Sequence, residues 1–343
     1  MNLKQLIDEN EMTDTEQGPE FDALARRALT HWNAERAELD LIKHRENAVY
    51  KVTLPGGTRR ALRVHRANYH TDAELRSELL WMQALNDYGV HTPEVIAASD
   101  GSLFVRARAN DGDQSYQCDM LAWVDGAPLG AIDSRSKEEL STLADSYRTV
   151  GRLMAKVHNH ASEWLLPEGF ARHAWDIDGI AGQSPFWGRY WEFDALSPAQ
   201  VDLLQAAAEI LRHRLQQFGQ SPDRYGLIHA DFLPENLLTD AGDVKLIDFD
   251  DAGFGWHMFD VATSIFFFVG EQKFDAVLDS LVQGYRTERE LPEDHLALLP
   301  TFLMARGLTY IGWLHTRRET DTAQELTPAV VEGVCALAED YCS

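Results

Sequence analysis

The sequence has few cysteines, a shortage of basic residues and no long apolar run. Its three cysteines, Cys118, Cys335 and Cys342, match neither a disulfide framework nor a metal-binding spacing. We therefore expect a reducing, cytoplasmic environment. The longest apolar run, residues 261–269, is too short to cross a bilayer. The polar, acidic N-terminus does not resemble a secretory signal.

Acidic residues outnumber basic ones, 55 against 31, and the formal net charge is −24. A nucleic acid or an anionic membrane needs a basic surface on its partner, so this composition argues against both. The excess of acid favours cationic small molecules as partners instead. Apolar residues make up 45% of the 343 residues, enough for a substantial core in two lobes or domains. The composition leaves the oligomeric state open.

The most informative stretch is residues 226–251, whose pattern predicts strand, loop, strand, turn and strand. One apolar run ends at His229, and a later one, after turn residues, ends at Asp248. We expect this arrangement to bring Asp231, Asn236 and Asp248 to one end of a small hairpin. His229, Asp231 and Asn236 follow the pattern His-x-Asp-x-x-x-x-Asn, which is the spacing of a kinase catalytic loop.

These residue types suit phosphoryl transfer from ATP. Mg²⁺ prefers hard oxygen ligands, which Asn236 and Asp248 supply. A further carboxylate must orient the attacking hydroxyl and accept its proton, and Asp231 fits that role. His229 is expected to support the loop, because Asp231 is the better placed base. Taken singly, each residue would be an ordinary loop or cap residue, but their combination at this spacing favours a catalytic site.

The motif Gly-Leu-Ile-His-Ala-Asp, followed by Asn236 and Ile-Asp-Phe-Asp-Asp, resembles the aminoglycoside phosphotransferase and choline kinase-like superfamily. It is most similar to the branch of homoserine kinase type II-like enzymes and bacterial stress-response kinases. The similarity extends over about residues 40–320. It implies an α+β, protein kinase-like bilobal fold. The N-lobe has an antiparallel sheet with one main helix, and the larger C-lobe is mostly helical with a catalytic hairpin.

The resemblance also implies a division of the chain, with ATP bound between the lobes. The expected segments are a flexible N-terminal extension (1–18), an N-lobe (19–124) and a helical C-lobe (125–343) that contains the catalytic loop (229–236) and the metal segment (248–251).

Kinases carry a lysine on the second strand of the first hairpin, where this sequence has Arg63. An arginine can clasp a phosphate through two parallel hydrogen bonds, and Lys51 on the neighbouring strand is an alternative cation. A helix is predicted over residues 71–88, with a capping box that accounts for Glu74. Glu78 on that helix is then the expected partner that positions Arg63.

Other site residues follow from the resemblance alone. The glycine-rich phosphate loop is missing, and Asn47 in its place is either a nucleotide contact or a simple turn residue. Backbone groups near Leu121 and Trp123 are expected to meet the adenine edge.

Three acids of the C-lobe also receive roles from the resemblance. Asp260 is expected to brace the catalytic loop through backbone N–H groups, and Asp250 and Asp251 are candidates for the acceptor side.

A small, amine-containing alcohol such as homoserine, an amino alcohol or an aminoglycoside is the expected acceptor. Two alternatives remain: a Ser/Thr protein kinase of the stress-response type, and a nucleotide-binding pseudokinase that lacks turnover.

Overall fold

The computed structural model describes residues 18–44, 47–108, 114–129, 137–240 and 243–343. The predicted extension over residues 1–18 therefore lies outside the described residues, apart from Gly18. Two residues of the predicted turn, Ala241 and Gly242, also lie outside them.

The strands are β1 (Glu38–His44), β2 (Ala48–Thr53), β3 (Arg59–Val64), β4 (Phe104–Ala107), β5 (Tyr116–Ala122), β6 (Ala127–Pro128), β7 (Ala174–Trp175), β8 (Tyr225–Ile228), β9 (Leu237–Asp240), β10 (Asp243–Leu246) and β11 (Gly253–Trp256). The α-helices are α1 (Gly18–Ala28), α2 (Asp72–Asp87), α3 (Lys137–Glu163), α4 (Ile177–Ala181), α5 (Pro198–Phe218), α6 (His257–Ile265), α7 (Phe274–Tyr285), α8 (Glu293–Leu296), α9 (Leu299–Thr316) and α10 (Asp321–Cys342).

The N-lobe is built on an antiparallel five-stranded sheet with the order β1-β2-β3-β5-β4. The predicted hairpin joins β2 to β3 through Gly56 and Gly57, whose φ angles of 107° and 89° favour glycine. The register of β1 against β2 shifts between Leu41 and Lys43, and such a bulge redirects the side chains that follow it.

Helix α2 begins as predicted, because the Thr71 side chain accepts a hydrogen bond from the Glu74 N–H while the Glu74 carboxylate returns one to Thr71. Its apolar stripe includes Leu75 and Leu79, both fully buried. These side chains belong to the large C-lobe core, whereas the sheet of the N-lobe encloses a smaller core of its own with α1. Helix α2 thus connects the lobe that carries β3 to the lobe that carries the catalytic loop.

In the C-lobe, α3 and α7 approach closely at two glycines. A Cβ atom on Gly151 would lie 2.0 Å from the Leu281 carbonyl oxygen, and one on Gly284 would lie 1.9 Å from that of Arg148. Any larger residue at either position would force the helices apart.

Two small sheets, with the orders β10-β9-β6 and β7-β11-β8, flank the catalytic loop. Strands β9 and β10 form the predicted hairpin, and β8, the strand predicted before the loop, pairs with β11.

The structure confirms the predicted fold class, an α+β arrangement with an antiparallel sheet in the N-lobe and a helical C-lobe. The boundary near residue 124 between the lobes stays a prediction. Among the described residues, no helix combines the length and apolarity that crossing a membrane requires.

Candidate active site

The catalytic loop brings Asp231 and Asn236 into direct contact. The Asn236 amide donates hydrogen bonds to the Asp231 carboxylate at 2.7 Å and to its backbone oxygen at 3.0 Å. The Ile247 N–H donates to the Asn236 carbonyl at 3.0 Å, which sets Asp248 beside them. Ala230 and Asp248 both have positive φ, 63° and 66°, although neither is glycine. Strained backbone of this kind is common at functional sites.

The donor set at this point fits Mg²⁺. Because Asn236 uses its Nδ2 on Asp231, its amide oxygen is left to face a cation, and no described residue donates to that oxygen. Asp248 is open to solvent in the cleft. Partial desolvation raises the pKa of Asp248, the positive charge of Lys43 opposes that rise, and the negative charge of Asp250 adds to it. A dication would relieve this crowding of negative charge.

Asp260 accepts hydrogen bonds from the backbone of the catalytic loop. The N–H groups of His229 and Ala230 donate to its two carboxylate oxygens at 3.0 and 2.7 Å, and His158 Nε2 lies 3.0 Å away. Burial raises the pKa of Asp260 to about 6, although the neighbouring N–H groups oppose it. His229 Nε2 faces the Ile247 carbonyl at 3.2 Å. Both residues therefore hold the backbone around Asp231 and Asp248.

Arg306 on α9 is a site residue that the sequence analysis missed. Its guanidinium donates to the Asp231 carboxylate at 2.8 Å, the Ala230 carbonyl at 3.1 Å and the Tyr310 hydroxyl at 3.0 Å. The arginine is fully buried, and its guanidinium carbon lies 4.8 Å from the Trp187 ring centroid. Desolvation raises the pKa of Asp231, and Arg306 is the largest influence that lowers it.

Arg63 contacts Glu78 at 2.8 Å, the pairing that the sequence analysis expected. It also makes a two-pronged contact with Asp119 on β5, with both N···O distances 3.0 Å. The same carboxylate contacts His65. Asp119 was not predicted as a partner of Arg63, and the register of β3 against β5 places the two residues directly opposite each other.

Arg172 joins the two sides of the cleft and was also missed. Its side chain is 1% exposed, and it contacts the Glu78 carboxylate at 3.4 Å and the Glu74 carbonyl at 3.2 Å. On the other side it donates to the carbonyls of Phe249, Asp250 and Ala252 in and after the metal segment. One guanidinium therefore ties the start of α2 to the segment that carries Asp248.

Two lysines near this site, Lys51 and Lys43, act on different carboxylates. Lys51, the alternative phosphate cation, forms an ion pair with Asp40 at 3.1 Å. Lys43, just after the bulge in β1, lies near enough for its charge to lower the pKa of both Asp231 and Asp248 against desolvation. Lys43 is therefore the lysine of this pair whose charge acts on Asp231 and Asp248.

Asn47 accepts a hydrogen bond from the Arg66 N–H at 3.0 Å, as a turn residue would. Leu121 is buried in β5 opposite Ala61, and the Trp123 N–H faces the Arg59 carbonyl at 3.4 Å. The nucleotide roles of these three residues stay predictions.

The two acids after Phe249 face different groups. Asp250 is buried, and its carboxylate lies 3.6 Å from His65 Nδ1 and 3.7 Å from His70 Nε2. Asp251 accepts hydrogen bonds from the Tyr69 hydroxyl at 2.8 Å and Trp187 Nε1 at 3.1 Å. Both acids therefore connect the metal segment to its surroundings, and their roles toward an acceptor stay predictions.

A sequence profile of the phosphotransferase enzyme family matches residues 38–295. The chain belongs to this family. It is therefore a phosphotransferase, as the catalytic-loop spacing predicted.

Among solved structures, a microcompartment-associated aminopropanol kinase is 36% identical, with a TM-score of 0.81; the match covers 93% of this chain and 97% of that one. An amicoumacin kinase in complex with AMP-PNP and Ca²⁺ shares the fold at 18% identity, with a TM-score of 0.73 and coverage of 96% and 94%. The homoserine kinase of Neisseria meningitidis serogroup B is 29% identical, but that match covers only 51% of this chain and 54% of the relative. The predicted superfamily is confirmed, whereas the likeness to homoserine kinase is partial.

Proposed function

We propose that this phosphotransferase moves the γ-phosphoryl group of ATP to the hydroxyl of a small amino alcohol, with Mg²⁺ as the metal. The observation that carries the proposal is the contact set around Asp231. One carboxylate oxygen accepts from Arg306 and the other from Asn236, while the side chain keeps 18% of its surface open. A carboxylate held on both oxygens yet open to the cleft suits the task of orienting an attacking hydroxyl.

Each residue around Asp231 has a separate role in this proposal. Asp231 accepts a hydrogen bond from the acceptor hydroxyl and takes its proton. The new P–O bond forms as the bond from the γ-phosphorus to the β,γ-bridging oxygen breaks, and ADP is the leaving group. Arg306 lowers the pKa of Asp231 against the effect of burial and fixes the direction of its carboxylate. Asn236 and Asp248 would hold Mg²⁺, which when bound supplies positive charge against the phosphate oxygens.

The positive charge on the N-lobe side belongs to Lys43 and Arg63. Arg63 already contacts two carboxylates, so we assign Lys43 to the phosphates nearest the reacting group and Arg63 to a more distant position. Backbone groups near Leu121 and Trp123 would receive the adenine, and Asn47 would order the turn above the phosphates.

The choice of an amino alcohol rests on two supports. The microcompartment-associated aminopropanol kinase is similar over nearly the whole chain, at 36% identity. The net charge of −24 raises the local concentration of a cationic acceptor and lowers that of an anionic one.

The experiment measures ATP-dependent phosphorylation of matched acceptors by ADP release and by phosphorus NMR of the product. We expect 1-amino-2-propanol and ethanolamine to be phosphorylated with a higher kcat/KM than homoserine or an aminoglycoside. Propane-1,2-diol keeps the same hydroxyl but replaces the amine, so it should be a poor acceptor.

Equal use of the diol and the amine would refute recognition of the ammonium group. Phosphorylation of a protein acceptor alone would favour the stress-response kinase alternative. Binding of ATP without turnover of any acceptor would favour the pseudokinase.

A further inference from the structure

A second group of metal-ligating side chains lies outside the phosphotransfer centre. His70 precedes α2, Glu74 lies in the first turn of that helix, and His173 stands just before β7 in the C-lobe. One ligand atom from each lies within 4.8 Å of the other two. None of the three has a role in the mechanism above.

The two imidazoles are oriented alike. His70 Nε2 lies 2.8 Å from the Asp250 carbonyl oxygen, and His173 Nε2 lies 3.0 Å from that of Asp251. A carbonyl oxygen only accepts, so each Nε2 carries the proton and each Nδ1 keeps its lone pair. Both Nδ1 atoms are buried, and no described residue donates a hydrogen bond to either. Metal-bound histidines typically donate their other ring N–H to a carbonyl in this way.

The spacing of the rings agrees with a shared ion. Their centroids are 5.8 Å apart and their planes differ by 8°. Two imidazoles that bind one zinc at about 2.0–2.1 Å place their centroids roughly 5–6.5 Å apart. A tetrahedral zinc needs ligand atoms about 3.3 Å apart, so binding would draw the three side chains together by at most about 1.5 Å from the 4.8 Å limit.

Glu74 is already oriented for this role. Its Oε2 accepts hydrogen bonds from the Thr71 N–H and hydroxyl, both at 2.8 Å. No described residue donates to Oε1, so the capping box fixes the carboxylate and leaves one oxygen for a cation. Gly253 leaves room for the His173 ring, because a Cβ atom there would lie 3.0 Å from two of its atoms.

Around His70, Glu74 and His173, negative charges outnumber positive ones, which favours a bound cation. The carboxylates of Glu74, Glu78 and Asp250 are near, and the guanidinium of Arg172 is the opposing charge. Burial lowers the pKa of His70 and holds the pKa of His173 well below its ordinary value. Burial therefore disfavours a second proton on either ring, and each Nδ1 stays without a hydrogen-bond partner among the described residues.

We propose that His70, Glu74 and His173 form a binding site for a transition-metal dication of the Zn²⁺ type. The two nitrogen donors distinguish it from the all-oxygen set that suits Mg²⁺. Two histidines and one glutamate leave a fourth position for water. A bound ion would fasten the start of α2 to the carbonyls of Asp250 and Asp251, and so steady the segment that carries Asp248. This inference does not depend on the proposed acceptor or on turnover.

The experiment uses the full chain, treated with a chelator and returned to buffer with excess Mg²⁺. Zn²⁺ binding is measured by equilibrium dialysis with elemental analysis, and Co²⁺ binding by its visible absorption. We expect one ion per chain and a rise in melting temperature on Zn²⁺ addition. Glu74→Gln keeps the capping box, because glutamine serves there as well, but it removes the anionic ligand. It should weaken binding at least about tenfold, and His173→Gln should abolish it.

Two control variants separate this site from others. His91→Gln changes an exposed histidine and should leave Zn²⁺ binding unchanged. Asp248→Asn alters the expected Mg²⁺ site and should also retain Zn²⁺ binding. The proposal fails if the wild-type protein binds no Zn²⁺ in the presence of Mg²⁺. It also fails if Glu74→Gln and His173→Gln, folded by circular dichroism, bind as tightly as the wild type, or if Asp248→Asn alone loses the ion.

Discussion

Two buried arginines hold carboxylates in the two lobes, and they do so in opposite ways. Arg63 in the N-lobe faces Glu78 and Asp119, and neither of these acids is exposed. Arg306 in the C-lobe faces Asp231, which stays 18% exposed, and divides its other hydrogen bonds between a carbonyl and a hydroxyl.

The difference is between an ion pair enclosed within the protein and one that leaves a carboxylate accessible. Where two acids enclose the arginine, the charges are compensated inside the protein and loss of one acid should reduce stability. Where one acid remains open, its free lone pairs face the cleft and loss of the arginine should reduce activity.

Asp231→Asn removes the carboxylate that is meant to accept the hydroxyl proton. We expect kcat to fall by about 10³-fold, because a general base contributes roughly 10²–10⁴-fold. The affinity for ATP, measured by isothermal titration calorimetry, should stay near that of the wild type. Asp243→Asn, at the exposed first residue of β10, is the matched control and should keep full turnover. Wild-type kcat in the Asp231 variant would remove this residue from the mechanism.

Asp119→Asn breaks the enclosed cluster around Arg63. The free energy of unfolding should fall by about 3 kcal/mol, since an arginine that loses a buried partner remains charged. Urea denaturation measures it. The matched control is Asp125→Asn, which breaks an exposed pair with Arg59 at 2.7 Å and should cost under about 1 kcal/mol. Equal losses in the two variants would contradict the structural role of the N-lobe cluster.

His65 makes the stability of the same cluster depend on pH. Burial alone would lower the pKa of His65, but the carboxylates of Asp119 and Asp250 outweigh it and raise the pKa to about 9. The folded pKa lies above the ordinary value of 6.5, so the stabilisation is complete below pH 6.5 and is lost as the pH rises through about 9.

Across that pH range, the free energy of unfolding of the wild type should fall by an amount on the order of 2 kcal/mol. The His65→Gln variant should not show this fall. His31→Gln, an exposed histidine, should follow the wild-type curve. Identical pH profiles for the wild type and His65→Gln would argue against a protonated His65.

Arg306→Gln tests the C-lobe pair. We expect kcat to fall by about tenfold, which corresponds to roughly 1.4 kcal/mol. Because Arg306 lowers the pKa of Asp231, its loss should move the acid limb of the kcat/KM profile to higher pH. Arg306→Lys keeps a positive charge, so its acid limb should lie closer to that of the wild type. Arg318→Gln on the surface should leave the acid limb unchanged. A loss of stability with an unchanged pH profile would make Arg306 merely structural.

Much of the fold and part of the site could be predicted from the sequence, because the residues that form these features lie only a few positions apart. The capping box of α2 needs two residues three positions apart, and the structure has it. The contact between Asp231 and Asn236 lies within one loop, so its spacing is local information. Strand β8 shows the limit, since nothing near it in the chain indicates that its partner is β11.

The partners of these local features come from far along the chain. Asp119 stands 56 residues from Arg63, and Arg306 stands 75 residues from Asp231. A signal for Arg306 was available, because it is the only Asp, Glu, Lys or Arg among residues 299–316, in an otherwise apolar helix. A lone charge in a buried helix needs a partner. The sequence does not say which acid that partner is.

By itself, the sequence determined the family, the two-lobed α+β fold and the local contact between Asp231 and Asn236, because spacing and hydrophobic pattern act over a few residues. Only the tertiary structure decided several of the pairs of charges that compensate one another over long distances in the chain. Arg172, Asp119 and Arg306 each meet partners that packing alone brings near. Burial makes an unpaired charge costly, so the folded arrangement rather than the linear order selects the pairs.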